Sequence, residues 1–342
     1  MRPSWMDALL QGAARVPLPA VPAIAVTSLP IAILLHVAEL LESPGVFSLQ
    51  ADLVVGAVTP SLIIWVALAL DRVAGEALRR LRPALDSDLA AETDIARDLV
   101  RTPNLLALPA LLGGIVGGVS SVYESPGNWG VDLAHPGARL AAALLLSAAT
   151  DAVLFGVLAH VLHQLRVVSR VHRESVRVDL FHLTPLYAFS TLTARTGIAL
   201  ISIVVALIVL LSLTIGRFLL NGETDIAVTV GIFGIAVACF VVPLQGLHDR
   251  ISDEKDVRLA GLQATLASVI VEFQRRVGAG DVEGAGRLND TIAAARAAVD
   301  AVARISTWPW RPETLRGFVS ALALPVVVWL FTALLGRALA LR

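Results

Sequence analysis

Seven apolar stretches, each about as long as one bilayer crossing, run through the 342 residues of this chain. They cover 21–41, 53–70, 105–123, 140–162, 198–215, 226–243 and 318–335. A hydrocarbon core of about 30 Å takes about 20 residues of helix to cross. Lipid offers no partner to a backbone N–H or C=O, so such runs must form helices. The expected fold is therefore all-α: a seven-span transmembrane helical bundle. The first stretch is too long for a signal-peptide core, and no small-residue cleavage site follows it.

Composition agrees. The chain is 56% hydrophobic and 16% charged, against about 45–50% and 25% for a soluble domain. Its net charge of −1 argues against a nucleic-acid partner. The one cysteine, Cys239, can form neither an intramolecular disulfide nor a cysteine metal site.

The basic residues give orientation. Of 27, all but four fall in the N-terminal tail and the second, fourth and sixth gaps; Arg139, Arg217, Arg337 and Arg342 lie on the other side. Loops rich in Lys and Arg stay cytoplasmic. The N-terminus is thus expected inside and the C-terminus outside a prokaryotic cytoplasmic membrane. Trp5, Trp129, Trp308 and Trp310 fall near the ends of runs, where indole suits the headgroup region.

Three parts follow. Residues 1–243 hold spans one to six with short loops, and a cytoplasmic amphipathic helix near 86–100 carries Leu85, Leu89, Ala96 and Leu99 on one side, capped by Asp86 or Ser87. That helix is expected to lie on the inner membrane surface or on the hairpin. Residues 244–314 form the large soluble element, and 315–342 carry span seven. Within 244–314, Leu259, Leu262, Leu266, Val269 and Phe273 alternate three and four apart. So do Ala285, Leu288, Ile292, Ala295, Val299 and Val302 beyond a Gly278-Ala279-Gly280 turn. Both are a/d seams, and Asp281 suits the N-cap of the second helix. A cytoplasmic antiparallel coiled-coil hairpin is expected. Toward the membrane the first seam turns polar at Lys255, Ser252 and His248, opposite Ser306, Trp308 and Trp310. Either the helices splay there and these side chains are wet, or they form a polar layer that couples span six to span seven.

Three segments carry a resemblance. They are His172-Arg173-Glu174-Ser175-Val176-Arg177-Val178-Asp179-Leu180-Phe181 with Pro185-Leu186-Tyr187-Ala188-Phe189-Ser190, then Pro243-Leu244-Gln245-Gly246-Leu247-His248 on to Lys255, and Thr307-Trp308-Pro309-Trp310 with Leu315-Arg316-Gly317-Phe318. This resembles a family of hypothetical prokaryotic multi-pass membrane proteins with a Trp-Pro-Trp entry to the last transmembrane helix. The resemblance spans roughly residues 170 to 342. It implies the architecture and carries over no activity and no site residue.

Asp151 is the midpoint of the fourth run, with Ser147 four residues before it on the same face. An Asp at a span centre costs about 2.5–3.5 kcal/mol on insertion scales. No Lys or Arg lies near the middle of another run. Asp151 is either a proton or cation site or a neutral acid bonded to a neighbouring helix. His36 with Glu39 and His160 with His163 share helix faces, but the topology puts the pairs on opposite membrane surfaces, so no metal site and no cofactor are expected. Gly113-Gly114 and Gly117-Gly118 form a doubled small-residue face suited to close helix packing.

No metalloprotease, serine-hydrolase, P-loop or dinucleotide motif stands in a supporting context, so an enzyme is not expected. Two function classes remain. One is an oligomeric channel or small transporter for protons or cations, with Asp151 in the path. The other is a non-transporting sensor or scaffold whose hairpin docks a cytoplasmic protein. The lipid bilayer and a homo-oligomer are the expected partners in either case.

Overall fold

A computed structural model describes residues 3–42, 51–85, 89–215 and 223–340. Among these lie α1 (Trp5–Ala14), α2 (Ala20–Glu42), α3 (Ala51–Leu81), α4 (Leu89–Val100), α5 (Asn104–Glu124), α6 (Ala138–Glu174), α7 (Ala188–Ile215), α8 (Glu223–Gly278), α9 (Val282–Ala303) and α10 (Pro312–Ala340). The described residues form no strand; Leu85 and Val176 make an isolated bridge. Among the described residues five segments are long and apolar enough to cross a membrane: Ala20–Leu41, Val54–Ala84, Glu92–Glu124, Ala138–Glu174 and Thr184–Ile203. The protein is an all-helical chain compatible with a multi-pass membrane protein. The runs at 226–243 and 318–335 fall inside α8 and α10, and many of their side chains lie outside the described residues.

Helix α1 was not expected from the periodicity. Its N-terminus closes a capping box: Ser4 Oγ accepts from the Asp7 N–H at 3.1 Å, and Asp7 Oδ2 accepts from the Ser4 N–H at 2.9 Å. The helix buries Met6, Asp7 and Leu10. The Trp5 ring and the Met6 sulfur lie where a side chain on Gly156 of α6 would stand, at 2.5 and 2.9 Å from its Cβ. Trp5 Nε1 donates to the Ala107 carbonyl at 2.7 Å.

Helices α5 and α6 touch backbone to backbone. A Cβ on Gly114 would stand 2.5 Å from Ala152 Cα, and one on Gly118 2.5 Å from the Ser147 carbonyl oxygen. The glycine face therefore sets the approach of the two helices. Little of α2 or α5 is buried within the chain, whereas half of the α3 window is.

The largest core lies on the arginine-rich side, where helices run on past their apolar stretches. Leu81 of α3, Leu99 of α4, Val168 of α6, Phe189 and Leu192 of α7 and Ile251 of α8 are buried there together. Burying one such side chain contributes about 1.5–3 kcal/mol where water is the alternative. Ile95 and Leu99 bring α4 into this core against α3 and α6. The apolar stripe expected to meet the membrane surface or the hairpin thus packs into this core. The expected caps Asp86 and Ser87 lie outside the described residues.

Helix α8 runs unbroken through Pro243 to Gly278. Gly280 takes a positive φ of 76° in the turn, and Asp281 Oδ1 accepts from the Gly284 N–H at 2.8 Å to cap α9. Val302 at the far end of α9 joins the cluster that holds Ile251, Leu259 and Leu262 of α8. Two cations of α8 also close the ends of other helices. Arg250 donates to the carbonyls of His172 and Arg173 at 3.1 and 3.2 Å, and Lys255 donates to those of Ala303 and Ile305 at 2.7 and 2.9 Å. Cations suit these carbonyl-rich termini.

Candidate functional site

A buried polar cluster joins α1, α3, α6 and the loop before α5. It begins at the capping carboxylate of α1. Asp7 Oδ1 accepts from the Thr102 N–H at 2.9 Å, satisfying the backbone just before α5. Thr102 Oγ1 meets His160 Nδ1 at 2.8 Å, and His160 Nε2 meets Asp71 Oδ1 at 2.8 Å. The Asp71 carboxylate accepts, so Nε2–H donates and Nδ1 is left to face the Thr102 hydroxyl. Gln164, one turn on from His160, donates to Asp71 Oδ1 at 3.1 Å and to the Leu99 carbonyl at 3.0 Å. His160 is 1% exposed and Gln164 0%. A carboxylate in this setting is tolerable because two donors meet it.

An Asp–His pair can relay a proton, but here both ring nitrogens are engaged and His160 is shut off from solvent. The geometry is that of a clamp that pins α6 to α3 and to the loop before α5. Among the described residues no group of three or more His, Cys, Asp or Glu is placed to hold a metal ion. His160 and His163 differ accordingly: the first is buried in this cluster, the second only half-buried.

Asp151 stands apart. It is partly exposed on α6 at the lip of the α5–α6 contact. Its Oδ2 lies 3.7 Å from the position a Cβ on Gly117 would take. No hydrogen bond reaches it among the described residues. Ser147 does not serve it; Ser147 Oγ is 2.9 Å from Ser121 Oγ of α5. At the opposite end of the spans, Glu39 pairs with Arg139 at 2.7 Å.

The polar layer at the root of α8 and α9 is assembled, with aromatic rings as its substance. The His248 imidazole stacks on Trp308 at 4.1 Å between centroids and 11° between planes. Trp308 stacks on Trp310 at 4.4 Å, Trp310 on Phe240 at 5.3 Å, and Phe240 on Phe318 at 4.4 Å. Five rings thus run in one column from α8 through the 304–311 connection to α10. Ser252 is partly exposed beside it and makes no hydrogen bond among the described residues. Trp308 and Trp310 face each other and stay partly exposed. A second carbonyl contact lies nearby: His172 Nδ1 donates to the Pro243 carbonyl at 3.2 Å, with its ring edge-on to Phe189.

An open cavity of about 710 Å³ lies between the α6–α7 connection and α8, lined by Arg177, Asp179, His182, Glu254 and Arg258 among others. Its lining carries both signs of charge. Asp179 is held below the usual carboxylate range by the Phe181 N–H and by His182.

The Asp71–His160 cluster escaped the sequence reading because Asp71 falls one residue past its apolar run and His160 looked interfacial. The four-residue spacing of His160 and Gln164, which puts two polar side chains on one face of a long apolar helix, was the signal available. No protein-family model, no curated protein and no solved structure matches the chain.

Proposed function

We propose that this is a non-transporting membrane sensor or scaffold. In this reading seven spans sit in a prokaryotic cytoplasmic membrane with the N-terminus inside and the C-terminus outside. The α8–α9 pair is a coiled-coil hairpin in the cytoplasm that docks a partner protein. The observation that carries the reading is the five-ring column from His248 to Phe318, reinforced by the Lys255 contacts at the end of α9. It makes the hairpin root and the start of α10 one mechanical unit, as a signal passing between span and hairpin requires. The clamp at Asp71 and His160 fits the same picture, since it fixes the rest of the bundle as a rigid frame.

A second reading, a channel or transporter for protons or cations, rests on Asp151, a mid-run carboxyl without a donor. Proteoliposomes distinguish the two. Under the sensor or scaffold reading, proton and potassium flux stay at the level of empty vesicles. A flux that Asp151→Asn abolishes would overturn it in favour of permeation. Within the sensor reading, Trp308→Ala removes the middle of the column. Stacked aromatic pairs contribute about 0.5–1.5 kcal/mol each beyond area. Spin labels on α9 and α10 are then expected to give a broadened distance distribution; an unchanged one would show that the column does not couple them.

A further inference from the structure

We propose that the α5–α6 lip around Asp151 is the contact between two copies of this chain, in which the two Asp151 carboxyls meet and share a proton. The starting point is an unmet need. Asp151 sits at the middle of an apolar run, partly exposed, with no hydrogen-bond donor among the described residues. Lipid tails supply neither donor nor acceptor, and polar groups at this depth face a bundle interior or a cavity. The surroundings on this face are apolar or bare: Leu112 and Val116 of α5 are 63% and 65% exposed, with Gly113 exposed and Gly117 partly so.

Symmetry selects the occupant. Copies inserted by one charge pattern share one orientation, so the axis of a closed dimer runs along the membrane normal. Each residue then meets partner residues at its own depth. No Lys or Arg lies near the middle of any run, so the group able to answer Asp151 at its depth near such an axis is a second Asp151. Two carboxyls sharing one proton give each other a donor and an acceptor. Gly113 and Gly117, lacking side chains, leave the room for a second helix to come close, as small residues do at membrane helix contacts. This contact is independent of the hairpin and of whether it docks a partner.

Cysteine cross-linking in proteoliposomes tests it. A Cβ on Gly113 has its nearest neighbour at 3.8 Å and one on Gly117 at 3.7 Å, ordinary contacts, so Gly113→Cys and Gly117→Cys keep the monomer intact. Cys239 is buried, and the unaltered chain is the blank. Oxidation is expected to give a band of two chains, roughly tenfold more than Val237→Cys on α8, because thiols held at an interface have a high effective concentration. In the Gly113→Cys background Asp151→Asn retains the cross-link, since an amide still donates and accepts, and Asp151→Leu loses most of it. No two-chain band at either glycine position, with one-chain mass by native mass spectrometry, overturns the proposal. A cross-link to a different protein overturns it as well, and a cross-link indifferent to Asp151→Leu removes the carboxyl from the contact.

Discussion

Asp71 and Asp151 are carboxylates on helices that pack together, α3 and α6, and they meet opposite fates. Asp71 accepts from His160 and Gln164 inside the chain. Asp151 meets no donor among the described residues and lies at an outer lip. The contrast extends to their surroundings. Around Asp71 side chains from three helices and a loop interlock, and the adjoining core on the arginine-rich side is filled by large apolar residues. Around Asp151 two helices touch through glycine backbones and the flank is open. Where water competes, burying apolar area holds helices together. Between lipid-facing helices that force is absent, and close van der Waals approach replaces it. The Asp71 carboxylate is thus met by donors inside the chain, and the Asp151 carboxyl is met by none among the described residues.

The largest expected effect breaks the first half of that contrast. His160→Leu takes one of two donors from the partly buried Asp71 and the partner from the Thr102 hydroxyl, leaving Gln164 as the remaining donor. Losing a hydrogen bond to a charged group costs about 1.5–3 kcal/mol. Asp151→Leu is expected to change monomer stability by less than about 0.5 kcal/mol, as for a side chain outside any packed network. Thermal unfolding of both in detergent checks this; equal losses would erase the distinction between the two carboxyls.

Glycine substitutions sharpen the second half. Gly118→Ala sets a Cβ against Ser147 and Ala148 backbone and is expected to cost about 1–3 kcal/mol by overpacking. Gly75→Ala on α3, where nothing lies within 4 Å of the new Cβ, is expected to stabilise by about 0.5–1 kcal/mol through helix propensity. A neutral Gly118→Ala would mean that α5 is free to move away from α6.

The smallest effect lies far from both. Hydrogen bonds from Arg275 and then Arg276 hold the Glu272 carboxyl down to about 2, against an ordinary 4.5. Because the folded value is the lower one, this contribution is present above pH about 4.5 and is lost as pH falls toward about 2. A carbon-13 titration is expected to place the midpoint near 2, and Arg275→Gln with Arg276→Gln to return it toward 4.5. The pair faces solvent, so its weight in stability is small and screened by salt.

Much of the helical layout was legible. The runs at 21–41, 53–70, 105–123 and 140–162 lie in four of the five candidate crossings, and the Asp281 cap and the glycine turn stand where spacing put them. The run at 198–215 lies within α7, Ala188–Ile215, and overlaps the fifth, Thr184–Ile203; the side chains of 206–215 lie outside the described residues. Helix ends were less legible: α7 starts at Ala188 and α6 continues to Glu174, because a helix need not end where its apolar stretch ends. Helix α1 was missed because ten residues are too few for a periodicity to stand out. The stack from His248 to Trp308 was foreshadowed by the broken a/d seam, yet nothing in the spacing of Phe240 and Phe318 marks them as its continuation. Rings about 78 positions apart in sequence come together only when α8 and α10 pack.

Taken alone, the sequence determined the apolar character of this chain's helices, their approximate lengths and the clustering of arginine in alternate gaps. These follow from hydropathy and charge, which are sums over local residues. Only the tertiary structure decided which polar side chains are satisfied. Asp71, His160, Thr102 and Asp7 lie 89, 58 and 95 positions apart along their chain of contacts, and a hydrogen bond depends on ångström distances that local composition does not encode. The same packing left Asp151 at the edge of the bundle, so the mid-run carboxyl became a question about what lies beside the chain.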